Sequence, residues 1–555
     1  MQRSRSCLGC VPVSTAELPV ERAFDLPAAM PSWPSSVSDG GFAKGSIDLG
    51  GMEVRQVTTF AKVWSTAQGG QDGLGATFFK PSPVPAGFHA LGHYAQPNNR
   101  PLFGRVLVAR DASGTGALLA PPLDYTLVWS SGQDGAGFFW LPTPPDGYKA
   151  VGVAVTATKD KPQPGEVMCV RADFTDVCEA EESVWGSDKD GFSATALRPA
   201  VRGVDARGVH TGTFLAQSNV TPAASVSTLA CLKNNSAAYT SCMPDLGQVN
   251  AVLAAYSPHV YLHPNDPYLP SSATWFFENG ALLYQKGSQT PTPVAADGSN
   301  LPQGGGNDDA YWLDLPVDNG QKERVKKGDL ASAKAYVQAK PMLGGTATDL
   351  ALWFFYPFNG PARAKVGPLT IPLGMIGEHV GDWEHLTLRV SNFSGELLRM
   401  YFSQHSTGAW VDASQLEYLG DGGGNRRPVA YASLHGHAFY PREGLVLQGN
   451  SKLGVGIRND CAKGSRMDTS GGRCEVVAAE YLGAGKVAEP AWLGFERGWG
   501  PREEYDIGRE INRAARILPR AIKERLAQLV NKLLVGEGPT GPKMKGSWRN
   551  DERDP

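Results

Sequence analysis

The sequence has 555 residues, with 52 lysines and arginines against 55 aspartates and glutamates, so the formal net charge is −3. This balance excludes a nucleic-acid binder that works through bulk charge, because such a protein needs a surplus of basic residues to displace counterions. The 66 glycines, 41 prolines and 9% aromatic residues predict a mainly β fold of short strands joined by turns. A chain of this length is expected to form about two to four domains.

Residues 1–23 are predicted to be a flexible leader, which contains Cys7 and Cys10. The leader has no apolar core behind its arginines, so it is a poor secretory signal and the expected compartment is the cytosol. S-acylation of the two cysteines, beside Arg3 and Arg5, would hold the protein at an anionic membrane surface. The alternative is a disordered tail with incidental cysteines. The sequence has no apolar run of about 18 residues, so a membrane-spanning helix is not expected.

The other six cysteines form three close pairs along the chain. The pairs are Cys169 with Cys178, Cys231 with Cys242, and Cys461 with Cys474. In a secreted protein they would be interpreted as disulfides, whereas in the reducing cytosol they are expected to be buried thiols.

Residues 24–224 contain three copies of one pattern. Each copy starts with a Val-Trp-Ser or Val-Trp-Gly tripeptide, followed by an Asp-Gly turn and an aromatic strand. The tripeptides are Val63–Ser65, Val128–Ser130 and Val184–Gly186. Three such copies predict three small sheets around a pseudo-threefold axis, a β-prism-like domain. The tryptophans and phenylalanines are expected to fill its shared core; the alternative is a ring of aromatic residues that stack on a ligand.

The second half is predicted to follow a linker at 225–245. Asp245 is expected to cap a helix over 246–255, and Asp329 to cap another that runs through Lys340. Repeated strand patterns then predict a β-sandwich domain over 246–500. Residues 501–555 are predicted to form a helical extension, which Pro519 divides. Its basic face is expected to be solvated, and the alternative is a helix on a membrane surface.

A cluster of ionisable residues marks the start of one sandwich strand. Because side chains two apart in a strand share a face, Asp382 and Glu384 should point together, with His379 close by. Two carboxylates and an imidazole suit one divalent cation such as Ca²⁺, Mg²⁺ or Mn²⁺. Three later histidines are candidate accessory residues: His405, His435 and His437. The alternative is that all of these side chains are hydrogen-bonded core and turn residues.

Several segments together resemble the plant vacuolar protein sorting-associated protein 62 family. The segments are 42–50, the three tripeptide copies, 91–97, 377–390, 401–405 and 538–543. The resemblance runs from about residue 24 to the end, and members often begin with a similar cysteine-containing leader. It implies a role in membrane trafficking and names no biochemical activity.

Residues 250–450 also resemble, more remotely, the β-sandwich of the necrosis- and ethylene-inducing-like proteins. Those proteins carry a Gly-His-Arg-His-Asp-Trp-Glu signature, in which the first His, the Asp and the Glu help to hold a divalent cation. His379, Asp382 and Glu384 match this spacing, and Gly381 replaces the second histidine. Asn359 stands where the family has a further aspartate. The resemblance therefore implies the sandwich and a cation site that lacks one charge.

Two functions are compatible with these features. The first is a cytosolic, peripherally membrane-associated binding module of vacuolar or membrane trafficking, with lipid or glycan head groups and trafficking proteins as partners. The second is a metal-dependent hydrolase, in which one of the three accessory histidines acts as general base. Asn359 in place of the fourth charged ligand favours binding over catalysis, so an enzyme is not the preferred hypothesis.

Overall fold

The computed structural model describes residues 17–34, 40–131, 136–187, 191–219, 226–405, 407–420, 422, 424–450, 454–502, 505–516, 518–534 and 539–553. Short antiparallel strands build the part before residue 240. In chain order they are β1 (Ser46–Asp48), β2 (Met52–Val57), β3 (Phe60–Thr66), β4 (Ala76–Pro81), β5 (His89–Ala90), β6 (Tyr94–Pro97), β7 (Val106–Asp111), β8 (Leu119–Ala120), β9 (Asp124–Ser130), β10 (Phe138–Thr143), β11 (Tyr148–Lys149), β12 (Ala154–Thr156), β13 (Cys169–Arg171), β14 (Thr175–Asp176), β15 (Cys178–Ser187), β16 (Phe192–Pro199), β17 (Gly208–Val209), β18 (Phe214–Ser218) and β19 (Cys231–Lys233).

The three sequence copies form three equivalent three-stranded sheets. Their strand orders are β3-β4-β6, β9-β10-β12 and β15-β16-β18, and each begins with the strand that carries the tryptophan. Trp64, Trp129 and Trp185 meet one another at ring-centroid distances of 5.6 to 6.4 Å. This mutual contact defines the pseudo-threefold axis and confirms the predicted β-prism-like domain of three repeats. Of the predicted Asp-Gly turns, those in the second and third copies lie wholly or partly outside the described residues.

Phenylalanines fill the core of this domain beside the tryptophans. Phe78, Phe139 and Phe192 are buried, and the Phe139 ring lies 4.8 Å from Phe78 and 4.9 Å from Phe192. Edge-to-face and tilted contacts of this kind stabilise a core beyond the burial of their area. The aromatic residues therefore serve as packing, as expected from their repeated spacing.

A second set of small sheets closes the other end of the domain, with strand orders β1-β2-β7-β5, β8-β13-β11 and β14-β19-β17. Near the axis the chain passes itself closely: a Cβ built on Gly92 would lie 2.9 Å from the Cα of Gly152. The strand β19 falls inside the segment 225–245, and it pairs with β14 and β17 of this domain. The segment predicted as a linker thus contributes to the first domain.

The second half contains the longer strands and the helices. The strands are β20 (His259–Tyr261), β21 (Leu282–Gln285), β22 (Thr292–Pro293), β23 (Tyr311–Asp314), β24 (Ala335–Met342), β25 (Ala347–Asn359), β26 (Arg363–Val366), β27 (Leu369–Pro372), β28 (His379–Ser391), β29 (Leu397–Gln404), β30 (Thr407–Asp412), β31 (Tyr418–Gly420), β32 (Arg426–Ala432), β33 (Phe439–Tyr440), β34 (Gly444–Asn450), β35 (Val455–Cys461), β36 (Arg466–Asp468) and β37 (Cys474–Ala478). The helices are α1 (Leu246–Tyr256), α2 (Ala273–Glu278), α3 (Asn319–Lys326), α4 (Ile507–Ala514) and α5 (Arg520–Leu534).

A central sheet and a second sheet form the predicted β-sandwich. The central sheet has the order β30-β29-β28-β25-β24-β37, and the second has the order β31-β32-β20-β36 with β33 paired to β32. Between them lies a core of fully buried residues that includes Leu352, Phe354, Leu386, Val260 and Ala430. The other face of the central sheet packs on α2, on β21 and β23, and on a group of tryptophans. The sandwich is confirmed.

The predicted helices are partly confirmed. Asp245 caps α1 by accepting a hydrogen bond from the Gln248 amide, as expected. The chain between α4 and α5 turns at Pro519, and both helices pack on β26, β27 and β35. The helix predicted from Asp329 through Lys340 is wrong, because Ala335–Met342 is strand β24. Among the described residues, no helix is both long enough and apolar enough to cross a membrane.

None of the six described cysteines forms a disulfide, and five of them are buried. Cys178 lies beside Cys231, so the structure brings together two cysteines from different sequence pairs. The expectation of buried thiols is thereby confirmed for these five. Cys7 and Cys10 lie outside the described residues.

Candidate functional site

The candidate site lies where β25 and β28 pair at one end of the central sheet. Tyr356 is the cross-strand partner of Asp382, and Asn359 is the partner of His379. Phe354 pairs with Glu384, so Asp382 and Glu384 share the face that looks into the sandwich core. This orientation is the one predicted from the alternation of side chains.

His437 is the closest partner of Asp382. Its Nδ1 donates to Asp382 Oδ2 across 3.0 Å, and its ring stacks on Tyr356 with centroids 3.8 Å apart. Its Nε2 lies 3.7 Å from Asp266 Oδ2 and has no hydrogen-bond partner in the described part of the chain. Only 1% of His437 is exposed. The carboxylate and the stacked phenol ring therefore fix this imidazole from two sides.

The three accessory histidines share an uncommon backbone conformation. Their φ values are 58° at His405, 72° at His435 and 52° at His437, in the region that favours glycine. Non-glycine residues in this region cost free energy, of the order of 1–3 kcal/mol each, and they cluster at functional sites. The strained residues lie in the loops at this end of the sheet, and one of them, His437, contacts the Asp382 side chain directly.

His405 and His435 are each held by a polar partner. The Nε2 of His405 lies 3.1 Å from Asn459 Oδ1, and the Nδ1 of His435 donates to the carbonyl of Pro361 across 2.9 Å. The Cε1 atom of His405 would lie 3.5 Å from a Cβ on Gly436, which places both histidines around the same loop. The structure thus brings the predicted accessory residues to the site.

The four predicted metal ligands already make protein contacts. His379 donates through Nδ1 to the Gly381 carbonyl across 3.0 Å, which leaves Nε2 with its lone pair. Glu384 accepts a short hydrogen bond from Ser403, and the Asn359 amide donates to the Gly377 and Gly360 carbonyls. Within the described residues, no group of three or more His, Cys, Asp or Glu side chains is placed so that it could hold a metal ion. The metal site stays a prediction.

The two carboxyls have opposite pKa shifts. Burial acts to raise the pKa of Asp382, but the His437 hydrogen bond and the charge of His379 hold it below its ordinary value. Burial and the neighbouring Asp382 charge raise the pKa of Glu384 well above its ordinary value. Lys545 lowers the pKa of both groups through its positive charge. The pair therefore favours one negative charge, close to a lysine ammonium.

The opposite face of β28 carries polar side chains that bind the C-terminal segment. His385 lies 2.9 Å through Nε2 from Glu552, which also accepts from Thr387 across 2.6 Å. Arg389 pairs with Asp349 and with Asp551. These contacts attach the C-terminal segment to the sheet, and His385 is not part of the candidate site.

Sequence reasoning missed three residues of the site: Asp266, Tyr356 and Lys545. Tyr356 could have been found, since it directly opposes Asp382 once the two strands are paired. Asp266 follows a His-Pro-Asn turn, and Lys545 lies in the C-terminal segment 542–548. No sequence pattern connects either residue to Asp382, because the contacts depend on chain separations of more than 100 positions.

The fold and the site define a two-domain β protein with a buried polar site at the end of a sandwich sheet. The sequence matches the family model of vacuolar protein sorting-associated protein 62 over residues 20–552. The chain therefore belongs to the vacuolar protein sorting-associated protein 62 family. A curated relative, the putative vacuolar protein sorting-associated protein TDA6 of Saccharomyces cerevisiae, is 27% identical over 183 residues, which are 29% of this chain and 36% of that protein. The chain spans about a third of that relative's length.

Solved structures with similarity to the chain superpose with low scores. GNIP1Aa from Chromobacterium piscinae is 20% identical with a TM-score of 0.28, over 37% of this chain and 40% of that one. NLPPya in complex with glucosamine is 12% identical with a TM-score of 0.22, over 49% and 92%. Necrosis and Ethylene inducing Protein 2 from the causal agent of cocoa's Witches Broom disease is 13% identical with a TM-score of 0.17, over 41% and 91%. The expected similarity to necrosis- and ethylene-inducing proteins is confirmed, and scores this low indicate nothing about what this chain binds.

Proposed function

We propose that the chain is a cytosolic, peripherally membrane-associated binding module of vacuolar trafficking. It recognises a lipid or glycan head group at the site around Asp382, with one divalent cation as a bridging ion. Membership of the sorting family supports the trafficking role. The observation that carries the binding site is the buried Asp382 carboxylate, held by His437 among three histidines in strained backbone conformations.

The donor atoms left over by the protein contacts suit a hard or borderline cation. These atoms are His379 Nε2, the second oxygen of Asp382 and the second oxygen of Glu384, and the Asn359 amide oxygen supplies a fourth. Oxygen-rich sites with one imidazole are typical of Ca²⁺, Mg²⁺ and Mn²⁺. The side chains would have to turn inward to enclose the ion. Asn359 in place of a carboxylate lowers the expected affinity, because it removes one negative charge.

Binding is favoured over hydrolysis because the candidate bases are fixed or buried. His437 is 1% exposed, and its Nδ1 is held by Asp382. His435 donates its Nδ1 proton to a backbone carbonyl, and His405 is held by Asn459. A general base must come within hydrogen-bond distance of the proton that it removes. A bound head group loses no proton, so binding does not require a free base.

The test is metal content and head-group binding of the purified full chain. Wild type is expected to bind about one cation per chain, and Asp382→Asn is expected to lose it because the charged oxygen is gone. Glu475→Gln is the matched control, since Glu475 lies on the edge strand β37 of the same sheet and pairs with Lys334. Metal at background level in wild type would remove the cation from the proposal.

Head-group recognition is tested separately, with a glycan array and vesicle flotation in calcium or in chelator. Signals that depend on Asp382 and are reduced by Lys545→Ala would support the site. Signals that survive both substitutions would place recognition elsewhere on the chain, and the absence of any signal would overturn the proposed function.

Attachment to the membrane is proposed to use acylation of Cys7 and Cys10. Two acyl chains give stable anchoring, whereas one gives only marginal binding. The Cys7→Ala, Cys10→Ala double variant is expected to move from the membrane fraction to the soluble fraction of a cell lysate. An unchanged distribution would mean that the leader does not attach the protein.

A further inference from the structure

Helices α4 and α5 form a hairpin over residues 507–534, and the outer face of this hairpin is strongly basic. The inner face is apolar and packs on β26, β27 and β35, with Ile507 and Ile511 buried. Arg509 and Arg513 follow these isoleucines by two positions, which is about 200° round the helix, so they point away from the sheet. Both arginines are exposed.

The row of arginines continues beyond α4. Arg516 lies in the turn after α4, and Arg520 and Arg525 lie on α5. All three are exposed, and 93% of the Arg520 side chain is accessible. Residues 506–534 contain seven basic side chains and three acidic ones, in a chain whose net charge is −3. The hairpin is therefore positive although the chain as a whole is negative.

The three acidic side chains of the hairpin do not neutralise this face. Asp506 caps α4 by accepting from the Arg509 amide across 2.9 Å, and Glu510 is 9% exposed. Glu524 pairs with Arg520 at 2.8 Å, which is the one ion pair of the hairpin within the described residues. Protein surfaces usually intersperse both signs of charge, and a field of one sign attracts an oppositely charged partner. The exposed arginines therefore favour an anionic partner.

The residue types indicate a phosphate-bearing lipid surface. The planar guanidinium group of arginine donates two parallel hydrogen bonds to a phosphate, and clusters of about four to eight basic residues on an amphipathic helix are typical of binding to anionic phospholipids. Proteins that bind single-stranded nucleic acid combine such charge with aromatic side chains on which bases stack. Residues 506–534 contain no aromatic residue, which disfavours a nucleic acid.

The loop beside α4 adds apolar surface next to the arginines. The Glu510 carboxylate lies against Gly374, and Tyr505 donates to the Glu378 carbonyl, so the segment between β27 and β28 packs on the start of α4. Met375 of this segment is 58% exposed. At a membrane interface, basic groups contact the head groups while apolar side chains enter the acyl boundary.

We propose that the basic outer face of α4 and α5 docks on a membrane surface that contains anionic phospholipids. The arginines contact the lipid phosphates, and Met375 enters the interface beside them. Three residues separate Met375 from His379 at the start of β28, so docking brings the Asp382 site close to the lipid head groups. Acylation anchors the chain, and this face sets its orientation on the membrane.

The experiment measures co-sedimentation of the full chain with phosphatidylcholine vesicles that contain or lack phosphatidylserine, in the presence of chelator. Every sample carries Cys7→Ala and Cys10→Ala, so acylation does not contribute. The test variant combines Arg509→Gln, Arg513→Gln and Arg516→Gln, because glutamine is a good helix former without charge. Each basic residue near an anionic surface strengthens binding about fivefold, so this triple variant is expected to bind about a hundredfold more weakly.

Two further triple variants serve as controls. Lysine in place of arginine at the same three positions keeps the charge and is expected to retain most of the binding. Arg22→Gln, Arg426→Gln and Arg466→Gln together remove the same charge from exposed positions outside the hairpin, and should weaken binding much less. Unchanged melting temperatures show that the variants are folded.

Binding to anionic vesicles that falls with added salt, is lost in the glutamine variant and is kept in both controls would support the proposal. No binding of wild type to anionic vesicles, equal binding to neutral vesicles, or equal losses in the hairpin and control variants would overturn it. Arginine-dependent binding of a random-sequence RNA without vesicle binding would also overturn it. Asp382→Asn is expected to leave this binding unchanged in chelator, so failure of this proposal is distinguishable from failure of head-group recognition at the Asp382 site.

Discussion

The guanidinium of Arg389 donates to Asp551 across 2.5 Å, although 162 positions separate the two residues along the chain. Arg389 is 1% exposed and Asp551 8%, so both charges are removed from water. Asp551 also accepts from Arg202 of the first domain across 2.8 Å. The C-terminal segment therefore lies between the two domains, and this carboxylate connects to both.

Removing the Asp551 carboxylate is expected to destabilise the protein strongly. The Asp551→Ala variant takes one partner from the buried Arg389 guanidinium and one from the partly buried Arg202 guanidinium, at a cost of about 3–5 kcal/mol in the free energy of unfolding. Asp205→Ala is the control, since Asp205 is 82% exposed in its pair with Arg549 and should cost less than about 1 kcal/mol. Urea denaturation of both variants measures the difference. Equal costs would show that Asp551 is not a buried partner of Arg389.

Acid is expected to weaken the interface between the two domains, because it protonates Glu181 and Asp551, whose carboxylates pair with arginines there. Burial acts to raise the pKa values of Glu181 and Asp551, but their arginine partners hold both below the ordinary values of 4.5 and 3.8. A lowered folded-state pKa adds stability that is present above the unfolded-state pKa and is lost as the pH falls through the folded-state pKa. The melting temperature is thus expected to fall below about pH 5. In Asp551→Asn the fall should be smaller, and an equal slope would contradict this assignment.

The core of the repeat domain provides a third test. Phe139 is fully buried between Phe78 and Phe192, so Phe139→Ala should cost about 3–5 kcal/mol in unfolding free energy. Leu123 is 73% exposed in the same domain, and Leu123→Ala should change stability by less than about 0.5 kcal/mol. Chemical denaturation with tryptophan fluorescence follows this domain directly. A small effect of Phe139→Ala would mean that the three aromatic strands do not share one core.

The repeat domain could be predicted because its signal is local. A Val-Trp tripeptide followed by a turn and an aromatic strand recurs three times, and identical patterns fold into equivalent sheets. Strand β24 could not be predicted in this way. Its residues, Ala335–Met342, are all buried between β25 and β37, so the tertiary environment overrides the helical tendency of the preceding polar segment.

For the candidate site, too, the sequence predicts only those positions whose signal is local. The alternation of side chains was enough to place Asp382 and Glu384 on one face of β28. The sequence also indicates His435 and His437 as candidate site residues, because histidine is an uncommon residue and these two lie only two positions apart. Lys545 could not be predicted from the sequence, because only the packing of the C-terminal segment brings its charge close to Asp382 and Glu384.

Gly381 explains why the sequence departs from the metal-binding signature that it resembles. Its φ is 65°, and a Cβ at this position would lie 2.2 Å from the Trp499 carbonyl oxygen. Any side chain here requires both a strained backbone and a shift of the Trp499 backbone. Gly381→Ala should therefore lower the free energy of unfolding by more than about 3 kcal/mol. Gly367→Ala is the matched control: its φ is 57°, and the described residues leave open space around its Cβ position. That variant should show only the backbone cost of about 1–2 kcal/mol. Thermal and urea unfolding of the two variants measure these costs. Equal decreases in the free energy of unfolding would mean that the Trp499 backbone does not lie against Gly381.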